Sequence, residues 1–379
     1  MGSRVLEGLH RACADGERAQ APWHCARHAR NERPRPGLGR GSAPLSASTL
    51  VIQTAFLGDV VLTTPLLSAL AAEHGPVDVV TTALAAPLLE THPAVVQVIP
   101  YDKRGRDRGW TGLRRLGRQL EASQYARAYM PHRSLRTAAL ALLARIPIRI
   151  GFSGSWSFLY TEGRPKPQMG HETDRLLALA NGAMGVYRPQ LRPRTEDETV
   201  AGELGIDGPF VALAPGSIWG SKRWPYYAEL ATRLAERIGV VIVGSADDAD
   251  LGNEIQGAAE GGTGRQRIVN ACGRLSLRQS AALIGRAELL VTNDSAPLHL
   301  ATAMGTPIVA LFGPTVTEFG FGPLRPGDVV LGMDGLLCRP CSPHGPPECP
   351  LGHHRCMRDL TAVAVVRAIE DMGALRRRN

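Results

Sequence analysis

From residue 48 onward, the chain alternates between short apolar runs and stretches with helical periodicity. The first apolar runs are TLVIQT, VDVVTT, VVQVIPY, ARAYM and IPIRIG, and helical stretches such as DVVLTTPLLSALAAEHG lie between them. Runs that are apolar on both faces are typical of parallel strands covered by helices on both sides of the sheet. The alternation therefore predicts a doubly wound α/β domain.

The same alternation restarts after a polar, proline-bearing segment, with the runs FVALAP, GVVIVG, RIVNAC, ELLVTN and PIVALF. A chain of 379 residues is long enough for two such domains with real cores. We therefore predict two tandem Rossmann-like domains, residues 48–190 and 208–379, that face each other across a cleft. Residues 191–207 are the expected linker, and residues 1–47 are expected to be a disordered basic extension. Ligands of such sheets bind at the carboxyl ends of the strands, so the cleft is the expected site.

The composition is that of a soluble globular protein, with 44% hydrophobic and 21% charged residues. No apolar run approaches the roughly 18 residues that a transmembrane helix needs. Residues 1–47 contain no compact apolar segment of the kind found in secretory signals, so we expect a cytoplasmic location.

Positive charge is concentrated in residues 101–149, where twelve Lys and Arg residues face three acidic residues, a net charge of +9 against +8 for the whole chain. An excess this local indicates a localised anionic partner. Arg114, Arg115 and Arg118 in RGWTGLRRLGRQL are the candidate contacts. The alternative is that they form a solvated helix face.

The segment QTAFLGDVVLTTP has the pattern of a strand, a glycine turn and a helix, with Asp59 at the mouth of the turn. A carboxylate beside a core is costly unless it is paired, so its position needs a reason. Asp59 either caps the helix or acts in catalysis, and the spacing alone leaves both open. The segment lacks G-x-G-x-x-G, so a dinucleotide site is not supported.

A second candidate is LAPGSIWGSKRWP, residues 213–225, which follows a strand of the second domain. Its glycines and serines, including Ser217, offer backbone N–H groups and hydroxyls, and Lys222 adds positive charge before a helix. These features suit a diphosphate. An ordinary solvated Gly/Ser loop is the alternative.

The stretch from 289 to 315, LLVTNDSAPLHLATAMGTPIVALFGPT, places Asp294 and Ser295 in the turn between a strand and a helix. The helix N-terminus offers donors for phosphate, and Asp294 could accept hydrogen bonds from sugar hydroxyls. His299 lies one turn into the helix, where a structural histidine is the alternative to a ligand contact.

A cysteine-rich segment, residues 338–356, carries four of the seven cysteines with the spacing C-x2-C-x7-C-x6-C. Four thiols at such spacing could hold a structural zinc ion, although the second pair departs from the usual C-x2-C. Reduced thiols in a loop are the alternative, and a cytosolic disulfide is disfavoured. The four residues are Cys338, Cys341, Cys349 and Cys356.

Taken together and in this order, LGDVVLTTPLLSAL, PGSIWGSKRWP, TNDSAPLHLATAMGTPIVALFGPT and CRPC…ECPLGHHRCM resemble the ADP-heptose lipopolysaccharide heptosyltransferases, over roughly residues 48–372. The cysteine segment and RSLRTAALALLARIPIRIGFSG look most like the heptosyltransferase II subtype, while YMPHRS departs from that subtype's usual Pro-Asn-Ser. The resemblance implies the glycosyltransferase B fold and inverting transfer of heptose from ADP-heptose to a lipid A-linked inner core at the inner membrane face, with no cofactor required.

The resemblance also implies roles for the candidate residues. Asp59 would be the general base that deprotonates the acceptor hydroxyl, and Ser217 and Lys222 would hold the donor diphosphate. Asp294 would bind the heptose, Ser295 a phosphate, and His299 would lie on the donor side.

Two other functions are left open by the sequence. One is heptosyltransferase I or III, or another nucleotide-sugar transferase on the same scaffold. The other is a zinc-bearing nucleic-acid binding module. The two α/β repeats and the low aromatic content of 5% disfavour that module, because little in the sequence would stack on bases, and we expect no nucleic-acid partner.

Overall fold

The apolar runs form two parallel sheets, as the alternation predicts. The computed structural model describes residues 48–181, 187–260 and 267–373. The prediction of a disordered extension, residues 1–47, lies outside the described residues. The boundaries 48–190, 191–207 and 208–379 stay a prediction.

The first sheet has six parallel strands in the order β3-β2-β1-β4-β5-β6. Its strands are β1 (Thr49–Gln53), β2 (Val77–Thr82), β3 (Val95–Tyr101), β4 (Arg127–Met130), β5 (Ile148–Phe152) and β6 (Glu162–Arg164). Every residue of β1 is buried, as expected for a central strand covered on both faces.

The second sheet is also parallel and has the order β12-β11-β10-β7-β8-β9. Its strands are β7 (Phe210–Ala214), β8 (Gly239–Ile242), β9 (Ile268–Asn270), β10 (Leu289–Asn293), β11 (Ile308–Phe312) and β12 (Val329–Gly332). If the first sheet is read from β3 and the second from β9, each has its strands in the order third, second, first, fourth, fifth and sixth along the chain. This is the doubly wound arrangement, and it confirms the predicted fold class.

Helices connect the strands and cover the sheets. The α-helices before the second sheet are α1 (Leu57–Leu62), α2 (Thr64–His74), α3 (Ala86–Leu89), α4 (Gly109–Ala122), α5 (Leu135–Leu143), α6 (Glu172–Leu177), α7 (Thr195–Glu198) and α8 (Val200–Glu203). Those that follow are α9 (Tyr227–Ala235), α10 (Ala249–Glu260), α11 (Leu277–Arg286), α12 (Ala296–Met304), α13 (Arg355–Arg358) and α14 (Ala362–Asp371). No helix in the described ranges is long and apolar enough to cross a membrane.

The sequence defines the ends of α12 clearly. Ser295 is the extended N-cap residue, and a proline occupies the first turn, where its missing N–H is not needed. Gly305 ends the helix in the left-handed conformation, with φ of 75°, which favours glycine. These ends place the N-terminus of α12 directly after β10, at the carboxyl edge of the second sheet.

Two edge strands, β6 and β12, were not predicted. The first consists of only three polar or small residues, Glu-Gly-Arg, and the second is half-buried or exposed along its length. β6 lacks the apolar run that marks a central strand, because an edge strand is covered on fewer sides. β12 does carry such a run, Val-Val-Leu, which the sequence reasoning did not single out.

Buried apolar side chains also join the two halves of the protein. Val61 of α1 and Leu88 of α3 belong to the same buried cluster as residues of the second sheet and its helices. Phe321, after β11, packs in return against the core of the first sheet. The segment 191–207 lies between the two sheets in the sequence. Its residues Val200 and Leu204 are buried in the core of the second half.

Candidate active site

Asp59 lies in the first turn of α1, directly after the carboxyl end of β1. Its Oδ2 accepts a hydrogen bond from the backbone N–H of Phe56, the N-cap residue, at 3.1 Å. The capping role considered from the sequence is therefore present. The capping bond uses only Oδ2, so the other carboxylate oxygen of Asp59 remains available for another role.

The surroundings of Asp59 make it a stronger base than an ordinary carboxylate. Burial, together with a smaller effect of the nearby Glu172 carboxylate, raises its pKa from 3.8 to about 6. The Phe56 N–H and the Lys166 ammonium act in the opposite direction. At neutral pH Asp59 is mostly ionised, yet it holds a proton more tightly than an exposed aspartate does. This is the pKa pattern of a general base.

His299 of α12 lies directly against the helix that carries Asp59. A Cβ placed on Gly58 would lie only 2.5 Å from His299 Cδ2, so only glycine permits this approach. The imidazole is buried, and burial lowers its pKa to about 4, which keeps the ring neutral. Its Nδ1 has no hydrogen-bond partner within the described part of the chain. His299 therefore joins the two halves of the protein beside Asp59.

Lys222 and Asp294, both predicted as donor contacts, are paired with each other. Lys222 Nζ lies 2.6 Å from Asp294 Oδ2, and it also donates to the Asp294 backbone carbonyl at 3.2 Å. Thr315 Oγ1 donates to the same carboxylate oxygen at 2.7 Å. Both members of the ion pair are buried. A buried ammonium and carboxylate are thus held at the carboxyl ends of β7 and β10.

Ser217 and Ser295 lie in the loops that flank this ion pair. Ser217 is buried, and its Oγ accepts from the backbone N–H of Trp219 at 3.1 Å. Ser295 is the N-cap of α12 and makes no side-chain bond into its helix. The site therefore collects Ser217, Lys222, Asp294 and Ser295 along one edge of the second sheet.

Asn293 is a site residue that the sequence reasoning missed. Its side chain donates to the Pro215 carbonyl at 2.8 Å and accepts from the Trp224 N–H and the Tyr227 hydroxyl, each at 3.3 Å. One buried amide therefore fixes both ends of the Gly/Ser loop to the end of β10. The adjacent Asp294 drew attention to the segment, but nothing local indicated that Asn293 would bridge two loops.

The cysteine-rich loop, residues 338–356, packs over Ser221 and Lys222. Ser221 N–H donates to the Pro347 carbonyl at 3.0 Å, and His354 Nε2 lies 2.7 Å from the Ser221 carbonyl oxygen. Gly345 adopts φ of 79°, and a Cβ there would lie 3.2 Å from Lys222 Cε. The loop thus supports Lys222 from outside.

His344 extends from this loop towards the first sheet. Its ring stacks on Trp219, with ring centroids 6.5 Å apart and planes 12° apart. It also lies 6.4 Å from the ring of Phe56, which precedes Asp59. A histidine of the cysteine-rich loop therefore lies between one aromatic residue from each half of the protein.

The four thiols of this loop do not form a metal-ligand set in the structure. Cys338 Sγ lies 3.9 Å from His353 Nε2, and Cys349 Sγ accepts from the His354 N–H at 3.3 Å. Burial, with the neighbouring thiols, raises the pKa of Cys356 to about 11, so without a bound metal ion this side chain is a neutral thiol at neutral pH. No group of three or more metal-binding side chains suits a metal ion in the described ranges. The zinc interpretation stays a prediction.

The sequence profile of glycosyltransferase family 9 (heptosyltransferase) matches residues 113–349. The chain belongs to this family. Lipopolysaccharide heptosyltransferase 2 of Escherichia coli (strain K12) is 33% identical over 295 residues, which are 71% of this chain and 84% of that protein. The enzyme of the same name from Salmonella typhimurium is 32% identical over 292 residues, with the same coverage. The structure of E. coli ADP-heptose lps heptosyltransferase II matches with a TM-score of 0.70 at 30% identity, covering 86% of this chain and 98% of that one.

Membership of family 9 confirms the predicted resemblance, the glycosyltransferase B fold and the assignment as a glycosyltransferase. It favours this assignment over the interpretation as a nucleic-acid binding module. Asp59 and the Lys222–Asp294 pair come from opposite halves of the fold, as a two-substrate transferase requires. Their individual roles stay predictions.

The arginines predicted as acceptor contacts lie on the solvent face of α4, beside the first sheet. Arg115 Nη2 forms an ion pair with the buried Asp107 at 2.5 Å, so its charge is offset within the protein. Arg114 and Arg118 are exposed. Lys103, which the sequence reasoning did not single out, donates to the Thr54 carbonyl at 2.9 Å. Lys103 is therefore a cation next to the turn that carries Asp59.

Proposed function

We propose that this protein transfers L-glycero-D-manno-heptose from ADP-heptose to the heptose of the lipopolysaccharide inner core, as a heptosyltransferase II-like enzyme. The observation that carries this proposal is the position of Asp59. Asp59, whose pKa is raised, belongs to the first half, and the adjacent Gly58 contacts His299 of the second half. The predicted donor contacts of the second half follow β7 and β10. The named relatives act in the same biosynthesis and support the choice of substrates.

In the proposed reaction Asp59 accepts the proton of the acceptor hydroxyl. The acceptor oxygen forms a bond to the anomeric carbon of the heptose while the bond from that carbon to the diphosphate oxygen breaks. The electron pair leaves with ADP. Because attack and departure occur on opposite sides, the anomeric configuration inverts, and no nucleophilic side chain is needed.

Lys222 supplies positive charge for the diphosphate, both in the bound donor and as ADP leaves. In the structure this ammonium is bound to Asp294, so donor binding has to share or exchange that contact. Asp294 is then free to accept hydrogen bonds from heptose hydroxyls, and Ser217 and the Ser295 turn contribute donors to phosphate oxygens. With Lys222 offsetting the charge, we propose that the reaction requires no cofactor.

We also propose that the enzyme works in the cytoplasm at the inner membrane face, where a lipid A-linked inner core would be its acceptor. The local net charge of +9 in residues 101–149 supports an anionic partner on this side of the protein.

The direct test is transfer by purified protein from ADP-heptose to defined truncated inner cores, with the product mass and ADP release both measured. Transfer to a core that ends in one heptose supports the proposal, and Asp59→Asn is the inactive control. Transfer only to a core without heptose would assign the heptosyltransferase I reaction instead. Tight duplex or single-strand binding without any transfer would favour the nucleic-acid module. Core oligosaccharide from cells lacking the gene should lose the second heptose.

A further inference from the structure

The loops that follow β1 to β5 expose large apolar side chains at one edge of the first sheet. Because the strands are parallel, all these loops lie at the same, carboxyl edge. Phe158 is 74% exposed and Trp110 65%. The exposed apolar residues on these loops and the helix starts after them are Phe56, Leu84, Trp110, Leu135, Trp156 and Phe158.

The opposite edge of the same sheet provides a comparison within the molecule. Its turns, residues 75–76, 90–94, 123–126 and 144–147, all belong to the described part of the chain. These turns carry no exposed large apolar residue, and the element ends beside them expose three aliphatic side chains, Val96, Leu142 and Ile148, but no aromatic ring. Single exposed apolar side chains are normal on protein surfaces, but a concentration on one edge marks an interaction surface.

Cations accompany the apolar side chains at this edge. Asp107, the buried acid of the loop after β3, forms ion pairs with Arg106 and Arg115. The other cations of these loops have no ion-pair partner among the described residues, and four of the five are exposed. They are Lys103, Arg104, Arg108, Arg133 and Arg136.

Contacts connect these loops into one surface. Lys103 bonds the Thr54 carbonyl of the loop after β1, and the charge of Arg136, after β4, acts on Lys103. A Cβ on Gly154, after β5, would lie 3.3 Å from Arg133 Nε, so these two loops also touch. We call the six apolar residues and five cations together the carboxyl rim.

We propose that the carboxyl rim docks on the surface of an anionic lipid bilayer. Aromatic rings favour the membrane interface, and cations beside them bind lipid phosphates, so the two signals reinforce each other. The proposal extends the proposed function, because Phe56 of the rim is the N-cap of the helix that carries Asp59. A rim on the bilayer would bring the sugar of a lipid-linked acceptor towards that base.

Vesicle cosedimentation tests the docking without acceptor or donor. The wild-type protein should bind vesicles that contain phosphatidylglycerol and bind pure phosphatidylcholine vesicles weakly. Trp156→Ser/Phe158→Ser and Arg133→Gln/Arg136→Gln should each weaken binding by about tenfold. Leu142→Ser/Val363→Ser and Arg358→Gln/Arg367→Gln remove the same chemistry from exposed positions off the rim, and they should bind like wild type.

Transfer to a delipidated core oligosaccharide separates docking from catalysis. Rim variants should retain that activity and lose activity on acceptor in vesicles. Rim variants that bind anionic vesicles like wild type would overturn the docking proposal, as would wild-type binding only to vesicles that contain acceptor. If the protein binds vesicles but transfers no heptose, the docking proposal is supported and the proposed function is contradicted.

A different observation concerns a second carboxylate near Asp59. Glu172 is the buried first residue of α6, the helix that packs against α1, which carries Asp59. Its carboxylate lies 2.6 Å from Lys166 Nζ and 3.7 Å from Arg175 Nη1. Its backbone N–H donates to the Gly320 carbonyl of the second half at 2.8 Å. Glu172 is therefore fixed by contacts from both halves.

Among the described residues, the charges that act on Asp59 are those of Glu172 and Lys166. On the α12 side the neighbour is His299, which burial keeps neutral, and Lys222 and Asp294 act on His299 rather than on Asp59. His171, before α6, bonds the Gly322 carbonyl, and burial lowers its pKa as well. The charge balance at Asp59 is thus set mainly by one carboxylate and one ammonium.

We infer that Glu172 is a positioning residue that, balanced by Lys166, sets how strongly Asp59 binds the proton it takes from the acceptor. A negative neighbour makes Asp59 a stronger base, and protonation of Asp59 relieves the repulsion between the two carboxylates. Lys166 offsets part of that repulsion. This role rests on Asp59 being the base of the proposed function.

The test is the pH profile of kcat/KM in two variants with opposite expected shifts. Glu172→Gln removes the negative neighbour, so the acid limb should move to lower pH. Lys166→Met leaves Glu172 less compensated, so the limb should move to higher pH. Glu121→Gln, which removes a half-buried carboxylate of α4 that is paired with Arg145, should leave the limb in place. Shifts in the same direction, or none, would overturn the inference.

The titration can also be followed without substrate. The carboxyl ¹³C resonance of Asp59, assigned by its loss in Asp59→Asn, should shift its midpoint in the same two directions. If Glu172→Gln does not fold, Lys166→Met still decides the sign. A wild-type protein that transfers no heptose but shows these shifts would contradict the proposed function and keep the electrostatic coupling.

Discussion

The two sheets share one strand order, yet the loops at their carboxyl edges differ in kind. The first sheet leaves aromatic, aliphatic and cationic side chains exposed there. The second sheet buries its polar groups at the same edge, where Lys222 is paired with Asp294 and Asn293 fixes the neighbouring loop. The scaffold determines where ligands bind, and the loops determine which ligands. Under the proposed function, the second edge binds the small anionic donor and the first edge a larger partner.

Asp59→Asn tests the catalytic end of this comparison and should have the largest effect. Removal of a general base lowers turnover by about 100- to 10,000-fold. Steady-state kinetics with ADP-heptose and a heptose-terminated core should show this loss. In the wild type, kcat/KM should fall below about pH 6, because the pKa of Asp59 is about 6 and protonation removes the base.

Stability distinguishes catalysis from helix capping at Asp59. Burial raises the folded pKa above the ordinary 3.8, so the folded state loses stability relative to the unfolded chain as pH rises from about 4 to 6. Asparagine does not ionise and keeps an oxygen for the Phe56 N–H. Asp59→Asn should therefore be at least as stable as wild type at pH 7, by up to about 1–3 kcal/mol. Lower thermal stability with nearly intact turnover would assign Asp59 to capping alone.

Lys222→Ala tests the donor end, and it should act on both binding and stability. Loss of a charged contact to the diphosphate should weaken ADP binding by about 10- to 100-fold in isothermal titration. It also leaves Asp294 buried without its counter-ion, which costs about 3–5 kcal/mol of unfolding free energy.

The double variant Lys222→Met/Asp294→Asn separates these two effects. With both charges removed, most of the unfolding free energy should return, while ADP binding should stay weak. If Lys222→Ala binds ADP like wild type, the ammonium serves the fold and not the donor.

Gly58→Ala tests the contact between the two halves. The added Cβ would lie 2.5 Å from His299 Cδ2, so α1 and α12 must move apart, at a cost of about 1–3 kcal/mol. We expect turnover to fall by about tenfold while ADP affinity stays unchanged, because the proposed diphosphate contacts Ser217, Lys222 and Ser295 all belong to the second half. Gly202→Ala, where a Cβ meets nothing within 4 Å, is the matched control. Unchanged kinetics in Gly58→Ala would show that this contact does not align the site.

The sequence predicts the central strands and the two-sheet fold because each buried strand carries a continuous apolar signal of its own. It also places Asp59, Lys222 and Asp294 at strand ends. It does not predict that Lys222 binds Asp294, 72 positions away, since pairing depends on which loops the topology brings together. The Gly58–His299 contact and the cover of Ser221 by the cysteine-rich loop have the same origin. Long-range packing decides these contacts, and no local pattern reports it.

Substitution of the α4 arginines tests the carboxyl edge of the first sheet, and we expect it to have the smallest effect on activity. Arg115 is bound to Asp107, so its substitution would disturb the loop that follows β3 and confuse the result. Arg114→Glu/Arg118→Glu changes only exposed charges. If α4 attracts an anionic acceptor, the acceptor KM should rise by a few-fold at low salt, since each exposed charge contributes about 1 kcal/mol or less. The difference should shrink as salt is added, because ions screen exposed charges beyond about 10 Å at 0.1 M. Donor KM should not change, because α4 belongs to the first sheet. Unchanged acceptor kinetics at low salt would mean that α4 only faces solvent. The carboxyl rim would then be the remaining candidate surface for the acceptor.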